Sequence, residues 1–144
     1  MARVRYVYSD LAVGMRDELT RTVTQDDVRR FAEVTGDFNP VHVDADFAAK
    51  TRFGRVIAHG SLGAGFISAV MGTKLPGPGA VYMEQTLRFV APVFIGDTIT
   101  AAAEITELIP AKYRVRLSTT CRKEDGSPVI EGTALLMFKV LSKD

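Results

Sequence analysis

The sequence has little cysteine, little net charge and no long apolar run. Its single cysteine, Cys121, cannot form an internal disulfide, which fits a reducing cytoplasm, and we interpret it as a buried sheet residue rather than a nucleophile. A net charge of +1 provides no basic stripe for nucleic acid. No apolar run reaches the roughly 18 residues of a membrane span, and the N-terminus lacks the apolar region of a secretory signal. We therefore expect a cytoplasmic protein that binds neither nucleic acid nor membrane.

Motifs for several common chemistries are also missing. The chain has two histidines without the H-x-x-x-H spacing, and no paired cysteines, so we predict no metal. It has no glycine-rich phosphate loop following a strand. It also lacks the G-x-S-x-G motif that places a nucleophilic serine.

What is present is typical of a globular domain. The chain has 144 residues, of which 47% are hydrophobic and 24% charged. This length is enough to bury a core, and it predicts one domain that spans residues 1–144.

The segment GSLGAGFISAVM, residues 60–71, predicts the central element. It carries no charge, and its only polar side chains are those of Ser61 and Ser68. Apolar residues occur on every side at helical spacing, which predicts a helix buried all round. Its glycines indicate close packing against a sheet, and Gly72 is the expected end of the helix.

The C-terminal half has a different pattern. Residues 81–90, 97–108, 112–122 and 129–140 read as strands, and apolar and polar residues alternate most strictly in the second and third. Alternation with one polar face predicts an antiparallel sheet that is wet on one side. A further short strand is expected at residues 18–23.

The segment before the central helix predicts a helix and then an ordered loop. Thr24 and Asp27 form a candidate capping box, and Gly36 ends the helix. The loop GDFNPVHVDADF follows, and Asp44 is a candidate cap for a short helix through residues 47–50. One long helix held by an antiparallel sheet is the hot-dog architecture, so the expected fold class is α+β.

Both histidines lie in the least regular part of the chain. His42 follows Asp37 by five residues, and the rigid Asn39-Pro40 pair lies between them. A carboxylate and an imidazole fixed together suit acid–base catalysis. The alternatives are a loop histidine bonded to backbone and a turn or capping aspartate. We interpret His59 as structural, orienting the turn or lining the site.

The start of the central helix is a candidate oxyanion site. Its first N–H groups have no helical acceptor, and the helix dipole favours negative charge there. Gly60 would let a substrate carbonyl approach closely. Ser68 is either an ordinary buried hydroxyl or a second site residue.

These motifs resemble a known family. The loop D-F-N-P-V-H, the I-A-H-G-S helix start and the segment LRFVAPVFIGDTI are similar to those of the MaoC-like hydratases, specifically the (R)-specific enoyl-CoA hydratases. The resemblance implies reversible hydration of a trans-2-enoyl-CoA to an (R)-3-hydroxyacyl-CoA, with no cofactor besides the coenzyme A of the substrate. It implies that Asp37 and His42 hold the water, that the Gly60 N–H binds the thioester carbonyl and that Ser68 supports the site. It also implies a homodimer whose active sites use both subunits.

Three other functions remain open at this point. A dehydratase for acyl-carrier-protein substrates would use the same residues, with Arg52, Arg55 or Lys74 facing the acidic carrier. A hot-dog thioesterase is disfavoured because residues 60–71 hold no carboxylate. A non-catalytic thioester-binding subunit would have little use for a fixed Asp37–His42 pair. For the acyl chain we expect a pocket that includes Phe66, Met71 and either Leu135 or Met137.

Overall fold

A computed structural model describes residues 3–144, so Met1 and Ala2 of the predicted domain lie outside the described residues. The helices are α1 (Gln25–Thr35), α2 (Pro40–Val43), α3 (Ala45–Ala49) and α4 (Gly60–Thr73). The strands are β1 (Arg16–Thr22), β2 (Val81–Gln85), β3 (Arg88–Phe89), β4 (Thr98–Ile109), β5 (Arg114–Lys123) and β6 (Pro128–Met137). No helix among residues 3–144 is long and apolar enough to cross a membrane.

Within the described chain the strands form one antiparallel sheet. Its order is β1-β4-β5-β6-β2, and β3 pairs with β6 as well. Helix α4 lies against β1, β4 and β5. The predicted α+β hot-dog architecture is therefore confirmed.

Strict alternation explains how β4 and β5 face the helix. On β4 the apolar residues Ile99, Ala101, Ala103 and Ile105 are all at most 1% exposed. On β5, Leu117, Thr119 and Cys121 pair with Ile105, Ala103 and Ala101 in antiparallel register and are also at most 1% exposed. The intervening residues point to the other face, as period-two side-chain direction requires.

Helix α1 has the predicted ends. The Asp27 N–H donates to the Thr24 hydroxyl at 3.1 Å, and the Thr24 N–H donates to the Asp27 carboxylate at 3.0 Å. Gly36 follows the last turn with φ of 80°, a left-handed conformation that glycine adopts without a Cβ penalty. The next residue, Asp37, therefore leaves the helix at a fixed angle.

Two predictions about α4 were wrong. Gly72 lies inside the helix, which continues to Thr73 and is capped at Lys74. The helix is also not buried all round in the single chain, because Ser61, Gly65 and Gly72 are exposed while Ile67 lies fully in the core. The sheet covers one face of α4, and no element among residues 3–144 covers the opposite face.

The expected strand at residues 81–90 is divided into β2 and β3. Thr86 interrupts the ladder because its hydroxyl accepts the Thr133 N–H at 2.9 Å, in place of a backbone carbonyl. Gly132 lies opposite, where a Cβ would collide with the Thr86 carbonyl oxygen. The division places Phe89, on β3, beside the start of α4.

Candidate active site

Asp37 lies in a short loop whose backbone is held by side chains. The Thr35 hydroxyl accepts the Asp37 N–H at 3.2 Å, and the Asp37 carboxylate accepts the Asn39 N–H at 3.3 Å. Asn39 in turn caps α2, because its side-chain oxygen accepts the Val41 N–H at 3.2 Å. Asn39 therefore positions the loop through its backbone and cap.

His42 is held on α2, a four-residue helix inside the segment that was expected to be a loop. Its Nδ1 lies 2.7 Å from the carbonyl oxygen of Ile57. A carbonyl only accepts, so Nδ1–H donates and Nε2 carries a free lone pair. The Ile57 N–H donates to the Val41 carbonyl at 3.2 Å, so the same residue fixes both α2 and the imidazole.

Burial favours the neutral form of this imidazole. It lowers the pKa of His42 below the ordinary value of 6.5, and the neighbouring His59 adds to that shift. The hydrogen bond to Ile57 and the Asp37 carboxylate oppose it. At neutral pH His42 therefore offers an unprotonated Nε2, which can accept a proton.

His59 connects the two parts of the site. Its Nε2–H donates to the main-chain carbonyl of Asp37 at 2.9 Å, and its ring packs 4.0 Å from that of His42 and 4.6 Å from that of Phe31, centre to centre. The side chain is buried, and its Nδ1 has no hydrogen-bond partner in the described chain. His59 immediately precedes the first residue of α4. Its hydrogen bond therefore connects the Asp37 loop to the start of that helix.

Gly60 begins α4, and its N–H is among those left without a helical acceptor. A Cβ at this position would lie 2.6 Å from the Phe89 ring. Glycine therefore lets Phe89 pack over the start of the helix. It also leaves the backbone open to a substrate oxygen.

A cavity of about 450 Å³ opens beside these groups. His42, His59 and Gly60 line one part of it. The remainder is mainly apolar and includes Val23, Phe66, Phe89, Ile99, Cys121, Val129 and Ile130. Imidazole, helix start and apolar space thus form one continuous site.

Asp37 stands next to this cavity. One carboxylate oxygen of Asp37 and one ring nitrogen each of His42 and His59 lie within 4.8 Å of one another. Such a cluster could hold a cation, although one nitrogen of each histidine already faces a main-chain carbonyl. That the site uses no metal and no cofactor stays a prediction.

The serines and the acyl-pocket residues lie differently from what was expected. Ser61 lines the cavity, whereas Ser68 lies seven residues further along α4, about 10 Å at the usual rise of a helix. Phe66 lines the cavity, but Met71, Leu135 and Met137 are not among its lining residues. The cavity runs instead toward the ends of β4, β5 and β6 nearest the start of α4.

The thiol of Cys121 is an inert part of the wall. Its Sγ lies 3.5 Å from the Gly63 carbonyl oxygen, to which it donates. Burial raises the pKa of Cys121 to about 12, so the thiolate does not form at neutral pH.

A second cavity, of about 790 Å³, lies on the other side of His42. It is bordered by α1 and by Arg55 and Ile95, and it touches neither His59 nor Gly60. The first cavity is therefore the one that joins the imidazole to the helix start.

Comparisons with known proteins identify the family. The MaoC like domain matches residues 11–125, and the chain belongs to this family. It is 52% identical over 134 residues to a 3-hydroxybutyryl-CoA dehydratase of Methylorubrum extorquens, covering 93% of this chain and 84% of that protein. It is 48% identical over 134 residues to an (R)-specific enoyl-CoA hydratase of Rhodospirillum rubrum, covering 93% and 92%. The solved structure of an unliganded R-hydratase from Pseudomonas aeruginosa superimposes with a TM-score of 0.88 at 43% identity, covering 96% of this chain and 87% of that one.

Sequence reasoning missed the wall opposite α4. Residues 89–93 line the cavity together with Arg52 and Phe53. The sequence predicts the end of a strand and a turn for this segment, and nothing in its periodicity indicates that it folds over Gly60. Its placement depends on the pairing of β3 with β6, a contact between distant parts of the chain.

Proposed function

We propose that this protein is a hydro-lyase, an (R)-specific enoyl-CoA hydratase that adds water reversibly to a trans-2-enoyl-CoA and forms an (R)-3-hydroxyacyl-CoA. The observation that carries the proposal is that His42, whose Nε2 is free, lines an apolar cavity and has a ring nitrogen within 4.8 Å of an Asp37 carboxylate oxygen. The names of the relatives agree with this reaction.

In the proposed mechanism the thioester carbonyl lies at the start of α4. The Gly60 N–H donates to its oxygen and stabilises the enolate that forms when water adds to C3. The helix dipole contributes in the same direction. The acyl chain extends into the apolar part of the cavity. The chain fills that space and excludes bulk water from it.

Water is held between two acceptors. The Asp37 carboxylate and the His42 Nε2 each accept one of its O–H groups, so its lone pair faces C3. Hydroxide adds to C3, and the proton released to the pair is delivered to C2, which balances the addition. Because both groups approach from one side of the substrate, they favour a single configuration at C3.

Assembly of two chains would cover the surfaces left open here. On the edge strand β2, Val81, Tyr82 and Met83 are each at least 41% exposed, and one face of α4 is uncovered. Unpaired edges of this kind are normally protected, and a two-fold pairing of β2 edges gives a homodimer. Sedimentation at micromolar concentration should show a dimer, and a monomer would contradict it.

The single buried thiol of Cys121 agrees with a cytoplasmic location.

The test of the function is turnover of crotonyl-CoA, followed as loss of enoyl absorbance. Oxidation of the product by (R)-specific but not (S)-specific 3-hydroxyacyl-CoA dehydrogenase would support the assigned configuration. If the protein is folded but does not turn over crotonyl-CoA, the hydratase proposal is wrong and the protein is better explained as a thioester-binding subunit. Comparison with crotonyl-acyl-carrier protein separates the carrier-protein dehydratase, which would turn over the carrier thioester in preference.

A further inference from the structure

The charge around the mouth of the cavity is one-sided. Among its described lining residues, Arg52 is the only one with a permanent charge, and no carboxylate lines the cavity. Arg52 is exposed, so it lies on the solvent side of the site. A substrate that leaves the cavity through this mouth therefore meets a cation.

Two further cations flank Arg52 in the chain. Lys50 and Arg55 are exposed, and no carboxylate in residues 3–144 lies within ion-pair distance of either of them or of Arg52. Arg55 interacts with Asp97 only at longer range. By contrast, the arginines of α1 all pair with acids of the same helix. The segment from Lys50 to Arg55 is thus a local excess of positive charge.

This basic segment is also held in shape. The Gly54 N–H donates to the Thr51 carbonyl at 3.1 Å, and the Thr51 hydroxyl accepts the Phe53 N–H at 3.3 Å. The guanidinium of Arg52 lies 4.8 Å from the centre of the Phe53 ring, and that of Arg55 lies 3.8 Å from the centre of the Phe94 ring. Stacking on aromatic rings orients a guanidinium while leaving its N–H groups free.

The proposed function supplies a ligand for these groups. With the thioester carbonyl at Gly60 and the acyl chain inside, the rest of the substrate must leave through the mouth. That part of coenzyme A carries a diphosphate and a ribose 3′-phosphate. Guanidinium groups bind phosphate with paired, charge-assisted hydrogen bonds.

We propose that Arg52, with Lys50 two residues before it adding positive charge, binds the phosphate groups of the nucleotide end of the acyl-CoA substrate. The inference rests on the proposed function, because it assumes that the thioester lies at Gly60. Phosphate is also present in the phosphopantetheine of a carrier protein, so the test must separate the two sources.

The experiment compares thioesters that differ only in their phosphates. Arg52→Ala should lower kcat/KM for crotonyl-CoA by roughly tenfold or more at low salt, mainly through KM. The effect should shrink as ionic strength rises. The same variant should match the wild type on crotonyl-pantetheine, which has no phosphate. Arg52→Lys, which keeps the charge but loses the planar fork, should recover part of the loss.

Arg122→Ala is the matched control. Arg122 is exposed on β5 and does not line the cavity, its Nη1 donates to the Gly126 carbonyl, and none of the ion pairs among residues 3–144 includes it. Arg122→Ala changes the net charge by the same amount as Arg52→Ala and should leave all kinetic constants unchanged. Thermal unfolding of each variant confirms the fold.

Dephospho-CoA and phosphopantetheine thioesters identify the phosphate. A loss confined to crotonyl-CoA supports contact with the 3′-phosphate, and a loss shared with the dephospho form supports the diphosphate. A loss equally large on the phosphopantetheine thioester would overturn the nucleotide assignment in favour of the carrier-type phosphate. Equal losses on crotonyl-CoA and crotonyl-pantetheine, or no loss on either, would overturn the proposal. Absence of wild-type turnover on every thioester would instead contradict the proposed function.

Discussion

The two ends of α4 differ in what lies against them. At the C-terminal end Val70 and Met71 are at most 2% exposed, and the Val70 carbonyl accepts the N–H groups of both Lys74 and Leu75 at 2.9 Å. At the N-terminal end Gly60 and Ser61 are exposed, and a cavity lies where the core would otherwise continue. One helix therefore anchors the fold at one end and has its free backbone N–H groups beside a cavity at the other.

The N-terminal end, where we propose that catalysis takes place, has fewer apolar contacts than the C-terminal end. Apolar contact is replaced there by hydrogen bonds from histidine rings to main-chain carbonyls, and the Nδ1 of His59 is left without a partner in the described chain. A buried polar atom without a partner is destabilising. We therefore expect stability and catalysis to respond to different residues.

The largest expected effect is on stability at the anchoring end. Phe138 is fully buried in the core, and Phe138→Ala should lower the free energy of unfolding by about 3–5 kcal/mol. Because Phe138 does not line the cavity, kcat for crotonyl-CoA in the folded fraction should change little. Chemical denaturation and initial rates measure the two quantities.

Val34→Ala is the control for that variant. Val34 is 82% exposed on α1, so its truncation should change stability by no more than about 0.5 kcal/mol. A large loss of kcat in folded Phe138→Ala would show that the two ends are not independent.

At the catalytic end Asp37→Asn and His42→Gln should each lower kcat for crotonyl-CoA by roughly 10² or more, since each removes an acid–base group. Both substitutions keep approximate size, and the two positions carry little of the core. Thermal unfolding should therefore be close to wild type. Near-normal kcat in either folded variant would make the pair structural.

A smaller loss is expected when a methyl group is added at the start of α4. In Gly60→Ala the Cβ would meet the Phe89 ring, and displacement of either group should lower kcat by roughly 10- to 10²-fold. Phe89→Leu in the same chain removes ring atoms and should restore part of the activity. No rescue would mean that the methyl group acts directly on the carbonyl site.

The hydrogen bond of His59 should contribute less. His59→Phe keeps an aromatic ring beside His42 but removes the donor to the Asp37 carbonyl, and kcat should fall by up to about tenfold with little change in KM. His59→Gln retains a donor and should lose less. If both variants lose equally, the ring rather than its N–H holds the Asp37 loop.

The smallest effect is a displacement of the pH profile. Burial lowers the pKa of His42, so the neutral base persists to a lower pH than in a free histidine. The acid limb of kcat/KM, which reports protonation in the free enzyme, should therefore lie below pH 6.5. An acid limb above pH 6.5 would mean that the Asp37 carboxylate raises the pKa of His42 by more than burial lowers it.

Local pattern was enough to predict much of this architecture. The alternation around Ile99 and Leu117 gave the central strands, and the Thr24–Asp27 pair gave the start of α1, because these features depend on neighbours in sequence. The loop motif placed Asp37 close to His42, since only a short rigid segment separates them. Five residues of chain leave few other arrangements.

The remaining features depend on contacts between distant segments. The break near Thr86 depends on its hydrogen bond with Thr133 and on the absence of a side chain at Gly132, and the cavity wall depends on the position of Phe89 over Gly60. The open face of α4, which includes Gly65 and Gly72, could not be predicted either. A uniformly apolar pattern indicates that a helix is buried. It does not indicate whether the same chain or another chain buries it.

The most direct test of the catalytic account is the double variant of Asp37 and His42. If both groups act on one water and one proton transfer, Asp37→Asn combined with His42→Gln should have a kcat little below that of the poorer single variant, because residues that act as a unit are not additive. Binding of saturated butyryl-CoA, measured by calorimetry, should be close to wild type. Multiplicative losses from the two substitutions, in a chain that remains folded, would show that the groups act in separate steps and would contradict the account.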